Sequence, residues 1–222
     1  MVTAAALFVH GMSAPSAAAA PRVTPNVNAA REPALSVPPP PPYSASPIDP
    51  VRVRVYRSTQ IRNEALRLAL GVAEATFAAA DIHVQWTVCE PGECNTPPAQ
   101  AERLVRLVRR ARGEHRDLRC LGDAFIDPQQ RSGALATVYV DQVVEVARRS
   151  RVDHARLLGH AIAHEIGHLL LGSVTHGASG LMREIWSQKE LRAGRTGDWA
   201  LLPLETAAIR LRLSAAPRPA SS

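Results

Sequence analysis

Residues 153–182 read DHARLLGHAIAHEIGHLLLGSVTHGASGLM, and the meaning of the remaining chain follows from this stretch. Asp153 stands where a helix N-cap belongs and Gly172 where a helix ends, so the spacing predicts a helix over His154–Leu171. Eighteen residues at ~1.5 Å each would span about 27 Å. Ala161, Ile162 and Ala163 on one side, and Leu169, Leu170 and Leu171 on the other, carry no charge. The helix is therefore expected to be buried, yet it carries His164, Glu165 and His168. Buried polar groups need partners. His164 and His168 are four apart, on one helical face, where both imidazoles can grip one metal ion. Glu165 is rotated past the metal but within reach of a water beside it, where a carboxylate can take up a proton. The competing reading is two histidines hydrogen-bonded in a core. His160, one turn earlier in the same row, reads as a packing or supporting residue.

Beyond Gly172 the chain can turn back and bring His176 toward the same ion. The segment HEIGHLLLGSVTHGASGLM resembles the metzincin clan of zinc metallopeptidases, whose motif HExxHxxGxxH is followed by a methionine turn. The matching residues are His164, Glu165, His168, Gly172, His176 and Met182. The resemblance implies one catalytic Zn2+ held by His164, His168 and His176, with Glu165 as general base and then acid in hydrolysing a peptide or protein substrate. It also implies an α+β fold: a single zincin-type domain with a mixed twisted sheet packed on the long zinc-binding helix. Two departures matter. The glycine comes one residue late, and His176 lies eight rather than six residues beyond His168. Glu184 and Glu190 thus stay open as rival third ligands, in a gluzincin-like site. Some metzincins place a tyrosine two residues after the methionine; Glu184 occupies that position here. Met182 reads either as the turn residue or as an ordinary core methionine.

Outward from the helix, Val51-Arg-Val-Arg-Val-Tyr56 alternates apolar and charged residues, the mark of a half-buried strand. Residues 60–80 fit an amphipathic helix, and 82–88 a second strand. Thr96-Pro97-Pro98 suggests the start of a helical turn. Residues 104–110 fit a helix or a strand equally. Residues 123–126 and 135–141 read as short strands, 142–149 as a helix, and 186–193 and 204–213 as helices behind the site.

Eleven of the 18 prolines fall in the first 50 residues. Residues 1–50 are accordingly expected to be an export signal followed by a Pro-rich disordered linker, residues 51–213 the folded domain, and 214–222 a disordered tail. Ala4–Val9 supplies a short apolar stretch and Ala17–Ala20 a small-residue cleavage site, although the first 20 residues hold no Lys or Arg. That leader points to a secreted or cell-envelope protein, with a monomer expected. No apolar run approaches the ~20 residues needed to span a bilayer. Net charge is +6 and all but one of the 26 basic residues are Arg, but aromatics are scarce, so nucleic acid is not the expected partner. Seven arginines between Arg103 and Arg119 form a solvated face or, in a non-catalytic basic module with structural or no zinc, a binding surface. A further alternative is an intracellular HExxH peptidase of the repressor-cleaving kind, which the sequence Glu205-Thr-Ala-Ala matches weakly. Cys89 and Cys94 bracket a turn and close a small disulfide, stay as thiols or hold a structural metal, although no second pair of ligands with finger-like spacing accompanies them. Cys120 has no third partner.

Overall fold

The structure, a computed structural model, describes residues 3–8, 48–57, 61–99, 101–110 and 120–215. In chain order the elements are β1 (Thr3–Phe8), β2 (Val51–Arg57), α1 (Asn63–Ala78), β3 (Val84–Cys89), β4 (Arg103–Val108), β5 (Cys120–Asp127), β6 (Ser132–Tyr139), α2 (Val140–Ser150), α3 (His154–Leu171), α4 (Gln188–Ala193), a 3-10 turn (Thr196–Trp199) and α5 (Pro203–Ala215). The α+β expectation holds. One sheet runs in the order β1-β5-β6-β4-β2-β3. β3, β2, β4 and β6 are parallel, while β5 is antiparallel to both β6 and β1.

The alternation in β2 sets which face is covered. Val51, Val53 and Val55 are buried toward the helices, and Arg52 lies exposed on the other side. α1 presents Leu66, Ala69, Leu70, Ala73 and Phe77 on one stripe, at the 3.6-residue period of a helix packed on one side. α3 differs: fourteen of its 18 residues are buried, because α1, α2, α5 and the β5–β6 part of the sheet all pack against it. Its ends form as the sequence predicts. Asp153 accepts the Arg156 N–H at 2.8 Å, and Gly172 takes a left-handed conformation (φ 58°) that a residue with a Cβ adopts at a cost.

The segment 104–110 resolves as strand up to Val108, where β4 ends, inserted between two parallel strands, and residues 109–110 are irregular. The helical turn expected at Thr96-Pro97-Pro98 does not form; residues 96–99 are irregular. The buried ion pair of Arg54 with Glu102 (2.8 Å) captures their backbone instead. Arg54 Nη1 donates to the Thr96 carbonyl, and the Ala99 N–H donates to Glu102. Cys89 and Cys94 are joined as a disulfide, and Cys120 is a buried free thiol. Of the arginine-rich stretch, Arg103 and Arg106 lie on β4, with Arg106 donating to Thr137 at 3.1 Å; residues 111–119 fall outside the described residues.

The expected leader divides. Thr3–Phe8, within its apolar part, forms β1 along the outer edge of β5, whereas residues 9–47, including the linker, fall outside the described residues. At the other end α5 continues to Ala215, and the remainder of the expected tail is not described. Among the described residues no helix is long and apolar enough to cross a membrane.

Candidate metal centre

α3 carries His164, Glu165 and His168 in its buried C-terminal half, each with no measurable exposure. After Gly172 the chain reverses and returns His176 to the same point. His168 Nε2 lies 3.0 Å from His164 Nε2 and 3.2 Å from His176 Nε2. The histidines are held from behind. His164 Nδ1 is 2.8 Å from the Leu181 carbonyl, and His168 Nδ1 is 2.8 Å from the Ser173 carbonyl. A carbonyl oxygen only accepts, so Nδ1 carries the proton in both rings and Nε2 is left with its lone pair.

Those lone pairs face each other. Burial pushes His164 well below the usual imidazole range and His168 down to about 4, and burial lowers His176 as well. Protonation therefore does not relieve the contact near neutral pH. A cation does. Three neutral imidazole nitrogens on a tetrahedral ion at ~2.0–2.1 Å would be about 3.3 Å apart. The two spacings from His168 are close to that and all three ligand atoms lie within 4.8 Å of one another, so this set could hold a metal ion.

Glu165 sits beside the cluster with both carboxylate oxygens buried and without a hydrogen-bond partner. Burial, with Asp123 nearby, raises its pKa well above the ordinary carboxylate range. Two orphaned buried oxygens next to three converging imidazoles indicate a site built to receive something polar.

The rival third ligands are placed elsewhere. Glu190 accepts from the Ser187 N–H and hydroxyl in a capping box at the start of α4, and also pairs with Arg183. Glu184 is exposed, near enough to His176 to favour its charged form but outside the cluster. Glu205 accepts the Leu202 N–H at 2.7 Å in the first turn of α5. Met182 is buried beneath the helix, its Sδ only 2.4 Å from where a Cβ on Gly167 would stand. His160 stacks on Trp199 (4.1 Å), Trp199 meets Trp186 edge-on (4.7 Å), and Trp186 meets His164 edge-on (5.8 Å), so its supporting place is indirect.

Sequence reasoning missed Gly122, in β5. A Cβ there would lie 2.7 Å from Glu165 Oε1 and 2.8 Å from the Thr137 carbonyl. A glycine within a strand is the available signal, because it often marks a close approach. The next residue, Asp123, is buried and accepts the Tyr139 hydroxyl at 2.5 Å. On the other side of β5, Leu7 of β1 pairs with Gly122.

No protein-family model and no curated protein matches the chain. Among solved structures, the fold is similar to that of a zinc-dependent peptidase from Methanocorpusculum labreanum (strain Z), with 12% sequence identity, a TM-score of 0.48, and coverage of 71% of this chain and 99% of that one.

Proposed function

We propose that the protein is a zinc-dependent metallopeptidase of metzincin-like design, with one zinc ion at His164, His168 and His176. The observation that carries this reading is the convergence of three imidazole Nε2 atoms, two of them with the tautomer fixed from behind, beside a buried carboxylate with no hydrogen-bond partner among the described residues. Zinc held there supplies a Lewis acid that makes water nucleophilic near neutral pH. Glu165 accepts the proton of the attacking water at a carboxylate oxygen and passes it to the leaving amine. Burial raises its pKa, which suits the proton-donating half of that task; a cation at the three histidines would favour the ionised form that the first half needs. His164 and His168 stay aimed because their Nδ1 protons are committed to the Leu181 and Ser173 carbonyls.

A peptide is the substrate class we infer. β5 already takes an extended segment antiparallel along its outer edge, with Leu7 paired to Gly122, the residue that Glu165 approaches. Backbone recognition of this kind suits any extended peptide. The Cys89–Cys94 disulfide supports an oxidising compartment, in keeping with a secreted or envelope protein, and we take the unit to be a monomer.

The test is metal content measured beside peptide hydrolysis. Wild type is expected to hold one zinc per chain and to lose turnover to chelators. Glu165→Ala is expected to keep the zinc and lose turnover by about 10²–10⁴-fold. Undiminished turnover in Glu165→Ala, or a folded wild type that takes up no zinc, overturns the proposal.

A further inference from the structure

A second concavity lies at the N-terminal half of α3, bounded by α1 and by the segment from α4 through the 3-10 turn. It encloses about 470 Å³, and none of His164, Glu165, His168 or His176 lines it. That volume is in the range of sites for small organic molecules. Its walls are of two kinds. Val72, Ala75, Leu157 and Leu191 make an apolar side, and Trp199 with His160 stacked on it at 4.1 Å makes a flat aromatic one. Around them stand Arg151, Arg156 and Arg192.

The charge on these walls is not balanced from within. Among the described residues Asp153 is the one acid lining the cavity, and its carboxylate accepts the Arg156 backbone N–H as the cap of α3. Arg192 donates to the Ser150 carbonyl and to the Gln188 amide oxygen, both neutral. Arg151 and Arg156 form no ion pair among the described residues. His160 Nδ1, on the inner wall, is buried without a hydrogen-bond partner. An apolar cavity with surplus guanidinium charge and an orphaned ring nitrogen has the complement of an amphiphilic anion. The apolar body removes the hydrophobic wall from water, and a planar carboxylate suits the fork of an arginine.

We propose that this cavity is a ligand site, distinct from the three-histidine cluster, that binds a small organic carboxylate with an apolar body. The experiment is calorimetric titration of the full chain with decanoate below its micelle-forming concentration, beside decanol and decylammonium. Two variants that keep the wild-type circular dichroism accompany it. Arg151→Gln/Arg156→Gln removes charge, and Ala75→Trp fills the space from an exposed helix position. The expected result is saturable 1:1 binding of decanoate, at least tenfold tighter than that of decanol. It weakens at least tenfold in the double arginine variant and is lost in Ala75→Trp. The proposal is overturned by absence of decanoate binding, by equal binding of the neutral or cationic analogue, or by decanoate binding that survives Ala75→Trp. The last outcome would place the carboxylate elsewhere, the metal included.

Discussion

Gly122 and Glu165 are in contact across the β5–α3 interface, so close that a methyl group on Gly122 would stand 2.7 Å from Glu165 Oε1. The strand therefore sets where the carboxylate sits. Gly122→Ala must push Glu165 aside or shift β5 off Thr137. We expect zinc content to be unchanged and hydrolysis to fall about 100-fold, the scale of a misplacement near 1 Å. Stability should drop by about 1–3 kcal/mol. Thermal melts, metal analysis and peptide turnover on one preparation check all three.

His176 reaches the cluster only through the loop after Gly172, and its ring is less buried than the other two. His176→Ala should keep the fold and weaken zinc binding beyond the ~10–100-fold that loss of a hydrogen-bonding partner of a ligand costs. Competition against a chromogenic chelator measures it. Wild-type affinity in this variant would remove His176 from the ligand set.

For a peptide to lie along β5, β1 must leave it. Alternate residues of an edge strand point their N–H groups at the neighbour, so Ala5→Pro/Ala6→Pro deletes a ladder amide whichever of the two faces β5. Amide exchange over residues 120–127 is expected to accelerate, and KM for an extended peptide to fall. Unchanged exchange would mean that β1 does not hold this edge in solution.

Tyr139 gives a pH signature of its own. Burial, and then the hydrogen bond to Asp123, push its phenol up to about 12. The folded state thus favours the protonated ring. Its contribution is complete below the unfolded value of ~10 and is lost as pH rises through about 12. Ultraviolet titration should show one late-ionising phenol that is missing in Tyr139→Phe. In wild type, stability should fall across that window more steeply than in the variant.

The Cys89–Cys94 bridge closes a loop with a sequence separation of 5. A loop that short contributes about 2 kcal/mol in the chain-entropy account. Cys89→Ser/Cys94→Ser should lower Tm by about 4–8 °C, and a reductant should lower wild type by a similar amount while leaving the variant unmoved.

Much of the candidate site is legible in the chain because it is local. The four-residue spacing of His164 and His168, the cap at Asp153 and the stop at Gly172 all follow from one helix. The period of that helix converts sequence distance into position in space. The alternating pattern of β2 is local in the same sense. Residues 104–110 were ambiguous because a segment flanked by strands on both sides takes its conformation from its neighbours. Thr96-Pro97-Pro98 misleads for a related reason: Arg54, 42 residues before Thr96, pairs with Glu102, and the pair claims backbone groups that a helical turn would use.

The sequence by itself determined the helix with His164 and His168 on one face, the identity of the carboxylate beside them and the mixed α+β character of the chain, all properties of short-range periodicity. Only the tertiary structure decided among His176, Glu184 and Glu190 for a place at the cluster. That choice depends on the path of a loop and on a capping box at α4 that occupies Glu190. Long-range packing alone put Gly122 against Glu165, and it laid Thr3–Phe8 on the edge of β5. It also gathered arginines from the end of α2, from α3 and from α4 around a cavity that no spacing along the chain announces. Contacts of this kind are set by the meeting of separate elements, and one-dimensional patterns do not encode where elements meet.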